Sequence, residues 1–161
     1  MGRYVGAEGP VDGTGMRIGI VNGRFNDHIT TLLLAGARTA LADAGVADDD
    51  VTEVWVPGAF EIPLVAQQLA WSGDVDAVVC LGAVIRGDTP HFDFVAGECA
   101  SGLTRVALDT GIPVIFGVLT VDTLAQALDR AGGTEGHKGA EAATTAVEMV
   151  DLLRRLSGEL R

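Results

Sequence analysis

Residues 76–85 read Asp76-Ala77-Val78-Val79-Cys80-Leu81-Gly82-Ala83-Val84-Ile85, a strand-length run that is apolar at every position after the first. A strand with one wet face alternates polar and apolar residues; one that does not alternate needs both faces covered, as in the centre of a parallel sheet. Parallel neighbours need crossover connections, so helices must flank the run in sequence. Upstream, a buried-strand run at 17–22 leads through Asn26 or Asp27, as helix N-cap, to Leu32, Leu33, Ala37, Ala40 and Leu41 at helical spacing, and Gly45 ends that helix. A second strand is expected at 51–56, then a helix that has Pro63 near its start and runs to about residue 71. Downstream come a helix at 93–108, a strand at 112–119, a short helix at 122–131 and a long amphipathic helix at 140–156.

The order β, α, β, α, β, α, β, α, α, with no internal repeat, predicts an α/β chain. Its four-stranded parallel sheet has right-handed crossovers and helices on both faces, the three-layer flavodoxin-like arrangement. Residues 1–16 are Gly-rich, lack periodicity and read as an arm; 17–161 form the domain.

The 161 residues carry 11 Lys plus Arg against 22 Asp plus Glu, a formal charge of −11, and 48% are apolar, which describes one acidic domain. A chain of this size hides about 70% of its unfolded surface and needs no metal or disulfide staple. Negative charge repels phosphate backbones and anionic lipid, so nucleic acid and membrane are not expected partners. The longest apolar run, Ala77 to Ile85, is half a bilayer span, and the first six residues lack a signal-peptide core, which makes the cytoplasm the expected compartment. Cys80 and Cys99 have no CxxC or ligand spacing and read as reduced core thiols; no metal and no cofactor are expected.

In an open parallel sheet the ligand crevice lies beyond the carboxyl ends of the strands. The segments there are Asn22-Gly23-Arg24-Phe25-Asn26, Pro57-Gly58-Ala59-Phe60-Glu61-Ile62-Pro63, Ile85-Arg86-Gly87-Asp88-Thr89-Pro90-His91-Phe92-Asp93 and Thr120-Val121-Asp122. Phe25, Phe60, Phe92 and Phe116 sit at or near predicted strand ends, where they pack the core or stack on a planar ligand. Asn26 or Glu61 beside them would read a heterocycle's edge or a polyol chain. Glu61 equally suits the dipole of a helix start. Gly87-Asp88-Thr89 precedes a helix N-terminus, where free N–H groups and the Thr89 hydroxyl make an anion site. Neither a Walker loop nor GxGxxG occurs, which argues against ATP and NAD. His91, just beyond, titrates near about pH 6.5 if unperturbed and is placed to move protons beside a phosphate ester. His28 and His137 read as surface or structural, and Asp48-Asp49-Asp50 as a solvated turn. Arg130 and Lys138, the single lysine, flank a Gly-rich loop and are either cations for an anionic substrate or a helix C-terminal charge and a solvated side chain.

Gly23-Arg24-Phe25-Asn26, Pro57 to Pro63, Leu81 to Phe92, and Arg130-Ala131-Gly132 with Lys138-Gly139 together resemble, in order and spacing, the motifs of the 6,7-dimethyl-8-ribityllumazine synthase family. The resemblance implies the penultimate step of riboflavin biosynthesis, the condensation of 5-amino-6-ribitylamino-pyrimidinedione with 3,4-dihydroxy-2-butanone 4-phosphate. It implies that Phe25 stacks on the pyrimidine, that Asn26, Ala59, Phe60 and Glu61 hold the ribityl chain, and that Val84 and Ile85 offer backbone contacts to the heterocycle. His91 would transfer protons, and Gly87, Asp88, Thr89 and Arg130 would hold the phosphate. Phe116, Arg130 and Lys138 resemble residues contributed by an adjacent subunit. Ala83 stands where some relatives have a hydroxyl, so a side-chain contact is lost there. Asp88 in a phosphate turn has to face solvent or an arginine, and Arg86 is the partner that sequence distance suggests. The family's arm adds a strand to a neighbour, and its homo-oligomers are pentamers, twelve of which form a hollow icosahedral shell in some members. The short connection from Gly132 to His137 resembles that of shell formers, some of which carry riboflavin synthase inside. A flavin-binding electron carrier and an inactive cage-forming homologue are the competing readings.

Overall fold

The computed structural model describes residues 2–159. Strands β1 (Ile18–Gly23), β2 (Val51–Val56), β3 (Ala77–Ile85) and β4 (Val114–Val121) form one parallel sheet in the order β2-β1-β3-β4. Helices α1 (Asp27–Asp43), α2 (Ile62–Ser72), α3 (His91–Thr110), α4 (Leu124–Arg130) and α5 (Lys138–Glu159) connect and flank them. The sheet has helices on both faces, so the fold is the three-layer flavodoxin-like arrangement that the apolar run in β3 called for.

Strand β3 explains the layering. Ala77, Val79, Leu81 and Ala83 enter one core with Ile18 and Ile20 of β1, Leu33 and Ala37 of α1, and Ala143, Ala146 and Val147 of α5. Val78, Cys80 and Val84 point the other way, into a second core with Val21, Ile62 and Ala66 of α2, and Cys99, Leu103 and Val106 of α3. Side chains alternate faces along a strand, so only an all-apolar strand serves two cores at once. Both cysteines are free and buried. Burial and the neighbouring Cys99 push the Cys80 thiol well up, and burial raises Cys99 to about 11, so both stay protonated near neutrality.

Several boundaries move. Helix α3 starts at His91, two residues earlier than its apolar pattern suggests, because Pro90 sits at the N-cap and cannot continue the loop's pairing. The Gly-rich stretch is an antiparallel ribbon, β5 (Ala131–Gly133) with β6 (Gly136–His137), and α5 follows at once. Asp48–Asp50 form a 3-10 turn. The end of the Gly-rich segment packs on the rest of the chain: Met16 belongs to the first core, Val11 packs against it, and the Gly13 amide donates to the Ala44 carbonyl at 2.7 Å. Met1 lies outside the described residues. Phe116 is the third residue of β4, toward its amino end and away from the carboxyl ends where the first cavity opens, because that strand runs from Val114 to Val121.

Helices α1 and α5 approach so closely that a methyl group at Gly139 would collide with the Leu33 carbonyl, and one at Gly36 with the His137 ring. His137 Nδ1 accepts the Ala140 N–H at 3.2 Å, so this imidazole caps α5 and is structural, as expected. Among the described residues, no helix is long and apolar enough to cross a membrane, and no group of three His, Cys, Asp or Glu is disposed around a metal.

Candidate functional site

The carboxyl ends of β1, β2 and β3 open into a cavity of about 650 Å³, within the range of small-molecule sites. Phe25, Ala59, Phe60, Glu61, Ala83, Val84, Ile85, Gly87, Thr89 and His91 all line it, so three loops distant in sequence converge as the topology requires. Phe25 is 74% and Phe60 59% exposed, which decides between their two readings: neither is a core residue of this chain. Pro57 to Glu61 enter through a short 3-10 turn, Ala59–Glu61, that carries Glu61 to the N-cap of α2 without a side-chain capping bond, leaving its carboxylate for other partners.

The loops are tied to each other. The Arg24 amide donates to the Val56 carbonyl at 2.8 Å and the Phe25 amide to the Pro57 carbonyl at 3.0 Å, so the end of β1 continues against the end of β2. Asn26 is in the left-handed region (φ 63, ψ 46), the one such non-glycine among the described residues, and its Nδ2 donates to the Ala83 carbonyl at 2.9 Å. Asn26 does not line the cavity; it stands at the α1 N-cap with no side-chain capping bond, and its amide is occupied by its own chain.

Gly87 to Thr89 form the turn before α3, and Thr89 Oγ1 accepts the His91 amide at 3.4 Å. His91, the first residue of α3, is exposed, with Phe94 and Val95 one turn on along the same wall. Those two were missed by sequence reasoning, although their i+3 and i+4 spacing from His91 placed them on its face. Arg86 does not pair with Asp88. Its guanidinium bonds Asp122 at 2.9 Å, lies 3.5 Å from Asp93 and sits over the Phe92 ring, 4.3 Å from the centroid. The sequence-adjacent acid lost because β3 pairs with β4 to its last residue, Ile85 opposite Val121, which brings Asp122 alongside Arg86. Asp88 is exposed and does not line the cavity, so an acid in the turn is tolerated by facing away. Asp122 and Asp93 hold the Arg86 guanidinium charge more firmly than usual.

Phe116, Arg130 and Lys138 are elsewhere. They line a separate cavity of about 460 Å³ along the outer edge of β4, between the end of α4 and the start of α5. Phe116 is 45% exposed, Arg130 Nη1 donates to the Gln126 carbonyl at 3.0 Å, and Lys138 pairs with Glu141 at 3.1 Å. A capping box positions α4 beneath them: Thr123 Oγ1 accepts the Gln126 amide at 3.1 Å and Gln126 Oε1 accepts the Thr123 amide at 3.3 Å. The Thr123-x-x-Gln126 spacing is a legible signal that the reading of the sequence passed over.

These features define an α/β protein with a cavity beyond the carboxyl ends of a parallel sheet, the place where such folds hold small molecules. The family model of 6,7-dimethyl-8-ribityllumazine synthase matches residues 15–154, and the chain belongs to that family, which works in riboflavin biosynthesis. Among solved structures, a GDP-L-fucose synthetase from Naegleria fowleri bound to NADP aligns at 15% identity with a TM-score of 0.45, over 99% of this chain and 50% of that one. The chain thus spans about half the length of that protein.

Proposed function

We propose that the protein is a transferase that forms 6,7-dimethyl-8-ribityllumazine from 5-amino-6-(D-ribitylamino)uracil and 3,4-dihydroxy-2-butanone 4-phosphate. The observation that carries this reading is that, in a chain of this family, two exposed phenylalanines, a free carboxylate, an anion turn and an imidazole line one cavity.

In this reading the pyrimidine lies on Phe25, with the backbone of Val84 and Ile85 along its edge, and Glu61 accepts from ribityl hydroxyls. The Thr89 hydroxyl and the amides at the start of α3 hold the phosphate. The substrate amine attacks the ketone and water leaves to give a Schiff base; a proton is lost from carbon, the phosphate departs, and the second nitrogen closes the ring by attacking the remaining carbonyl with loss of a second water. His91 is positioned to carry protons between carbon, nitrogen and the departing phosphate. Holding two substrates together supplies much of the acceleration, because it converts a bimolecular encounter into a unimolecular one.

The cavity has no Lys or Arg in its lining, an odd feature for a phosphate site in an acidic protein. The β4 surface carries both Arg130 and Lys138. We infer that Phe116, Arg130 and Lys138 complete a neighbour's cavity, in a pentamer built head to tail, and that the short connection through β5 and β6 favours the twelve-pentamer shell. Mixing the two substrates with purified protein tests the reaction: lumazine absorbance and fluorescence are expected, and their absence would overturn it. A yellow protein with redox-active bound flavin would instead establish the carrier. Light scattering with negative-stain microscopy tests assembly, a uniform five-subunit species overturning the shell alone.

A further inference from the structure

Strand β1 pairs with β3 only as far as Asn22 opposite Leu81, whereas β3 continues to Ile85 against β4 alone. From Ala83 onward, the edge of β3 that faced β1 therefore has no strand beside it. A carbonyl there needs a donor, since buried and half-buried backbone groups are almost always paired. Asn26 supplies it: the Nδ2–Ala83 bond spans 57 residues of sequence and takes the place of the missing ladder. The partner is a carbonyl, so the amide must present its nitrogen, which leaves Oδ1 to accept and the second N–H to donate elsewhere.

The backbone conformation serves the same end. The left-handed region strains an ordinary L-residue, and Asn is among the few that accept it. At Asn26 it turns the chain from Phe25 into α1, while the Asn26 carbonyl accepts the Ile29 and Thr30 amides at 2.9 and 3.1 Å. The loop after β1 is thus held by β2 through two backbone bonds and by β3 through one side chain.

We propose that Asn26 is a positioning residue: by replacing the β1–β3 ladder with its side-chain amide, it sets the distance between the Phe25 ring and the backbone of Val84 and Ile85, which line the same cavity. Those two surfaces bind the face and the edge of one planar ring, an assignment that rests on the reaction proposed above. The role is distinct from contact with the ribityl chain, because a group that contacts only substrate has no effect on the empty protein.

The test compares Asn26→Asp, which keeps the shape and removes the donor, with Asn26→Gly, which keeps the backbone conformation at no steric expense and removes the side chain. In the ligand-free protein, hydrogen exchange of the Arg24 and Phe25 amides should accelerate roughly tenfold in both, the loss of one net hydrogen bond, while the Gly13 amide, bonded to Ala44 far from the loop, stays unchanged. With substrates, both variants should raise the KM for the pyrimidine several-fold and leave the KM for the butanone phosphate unaltered. Unchanged exchange in both variants would overturn the positioning role, as would equal rises in the two Michaelis constants. A wild-type protein that makes no lumazine would overturn the proposed reaction while the exchange measurement still decides the role of Asn26.

Discussion

The cavity at the ends of β1, β2 and β3 and the surface along β4 have opposite chemistry. The first has aromatic faces, a carboxylate, an imidazole and a ring of backbone groups, but no cation; the second has Arg130 and Lys138, each occupied by a weak partner of its own chain. Exposed pairs such as Lys138 with Glu141 contribute little and are readily exchanged for a better anion. The first region is also framed by loops bonded to one another across strands, whereas the second is assembled from the outer edge of β4, the last residue of α4 and the first turns of α5. The difference teaches why a shared site is proposed: a turn without its own cation and a cation-lined cavity along β4 are halves that, in that reading, a second copy of the chain joins.

The largest effects should come from separating those halves. His91→Ala is expected to lower kcat by about ten- to ten-thousandfold. Arg130→Ala should raise the KM for the phosphate-bearing substrate by about ten- to a hundredfold, with little change for the pyrimidine. Refolded together in equal amounts, the two variants should regain about a quarter of wild-type turnover, since random mixing places an intact cavity beside an intact β4 surface in that fraction of contacts. Steady-state assays on the mixture decide the matter; no recovery would mean that each chain uses its own Arg130.

Stability changes should be smaller and should distinguish the framing of the two regions. Gly139→Ala forces a methyl group toward the Leu33 backbone at the start of α5 and is expected to destabilise by about 1–3 kcal/mol or more. Denaturant unfolding measures it, and an unchanged midpoint would show that α5 can shift, taking Lys138 with it. Below the first region, Thr30 is fully buried and its hydroxyl has no partner, so Thr30→Val should stabilise by about 1 kcal/mol in the same assay. A loss of stability there would indicate that the hydroxyl finds a partner in solution, as Asn22, 1% exposed with an unpaired Oδ1, would then also have to do.

The fold was legible because its signals are local. An unbroken apolar run can sit only at the centre of a covered sheet, and helix periodicity with Gly and Pro stops marks the crossovers, so the sheet, its layers and the three loops that carry Phe25, Glu61 and His91 followed from residue order alone. The same topology sends those loops to one end, which is why ten of the named residues converge in one cavity. What the sequence could not decide were partnerships across strands. Arg86 has Asp88 two residues away, yet binds Asp122 because register, not proximity along the chain, sets which side chains meet. Asn26 reads as a capping or ligand-binding residue, yet its amide completes a sheet edge, since how far β1 extends beside β3 is settled only when the strands pair. That Phe116, Arg130 and Lys138 share one surface, apart from the cavity of the other named residues, was implied by the resemblance alone, because spacing orders residues along a line and only folding assigns them a face.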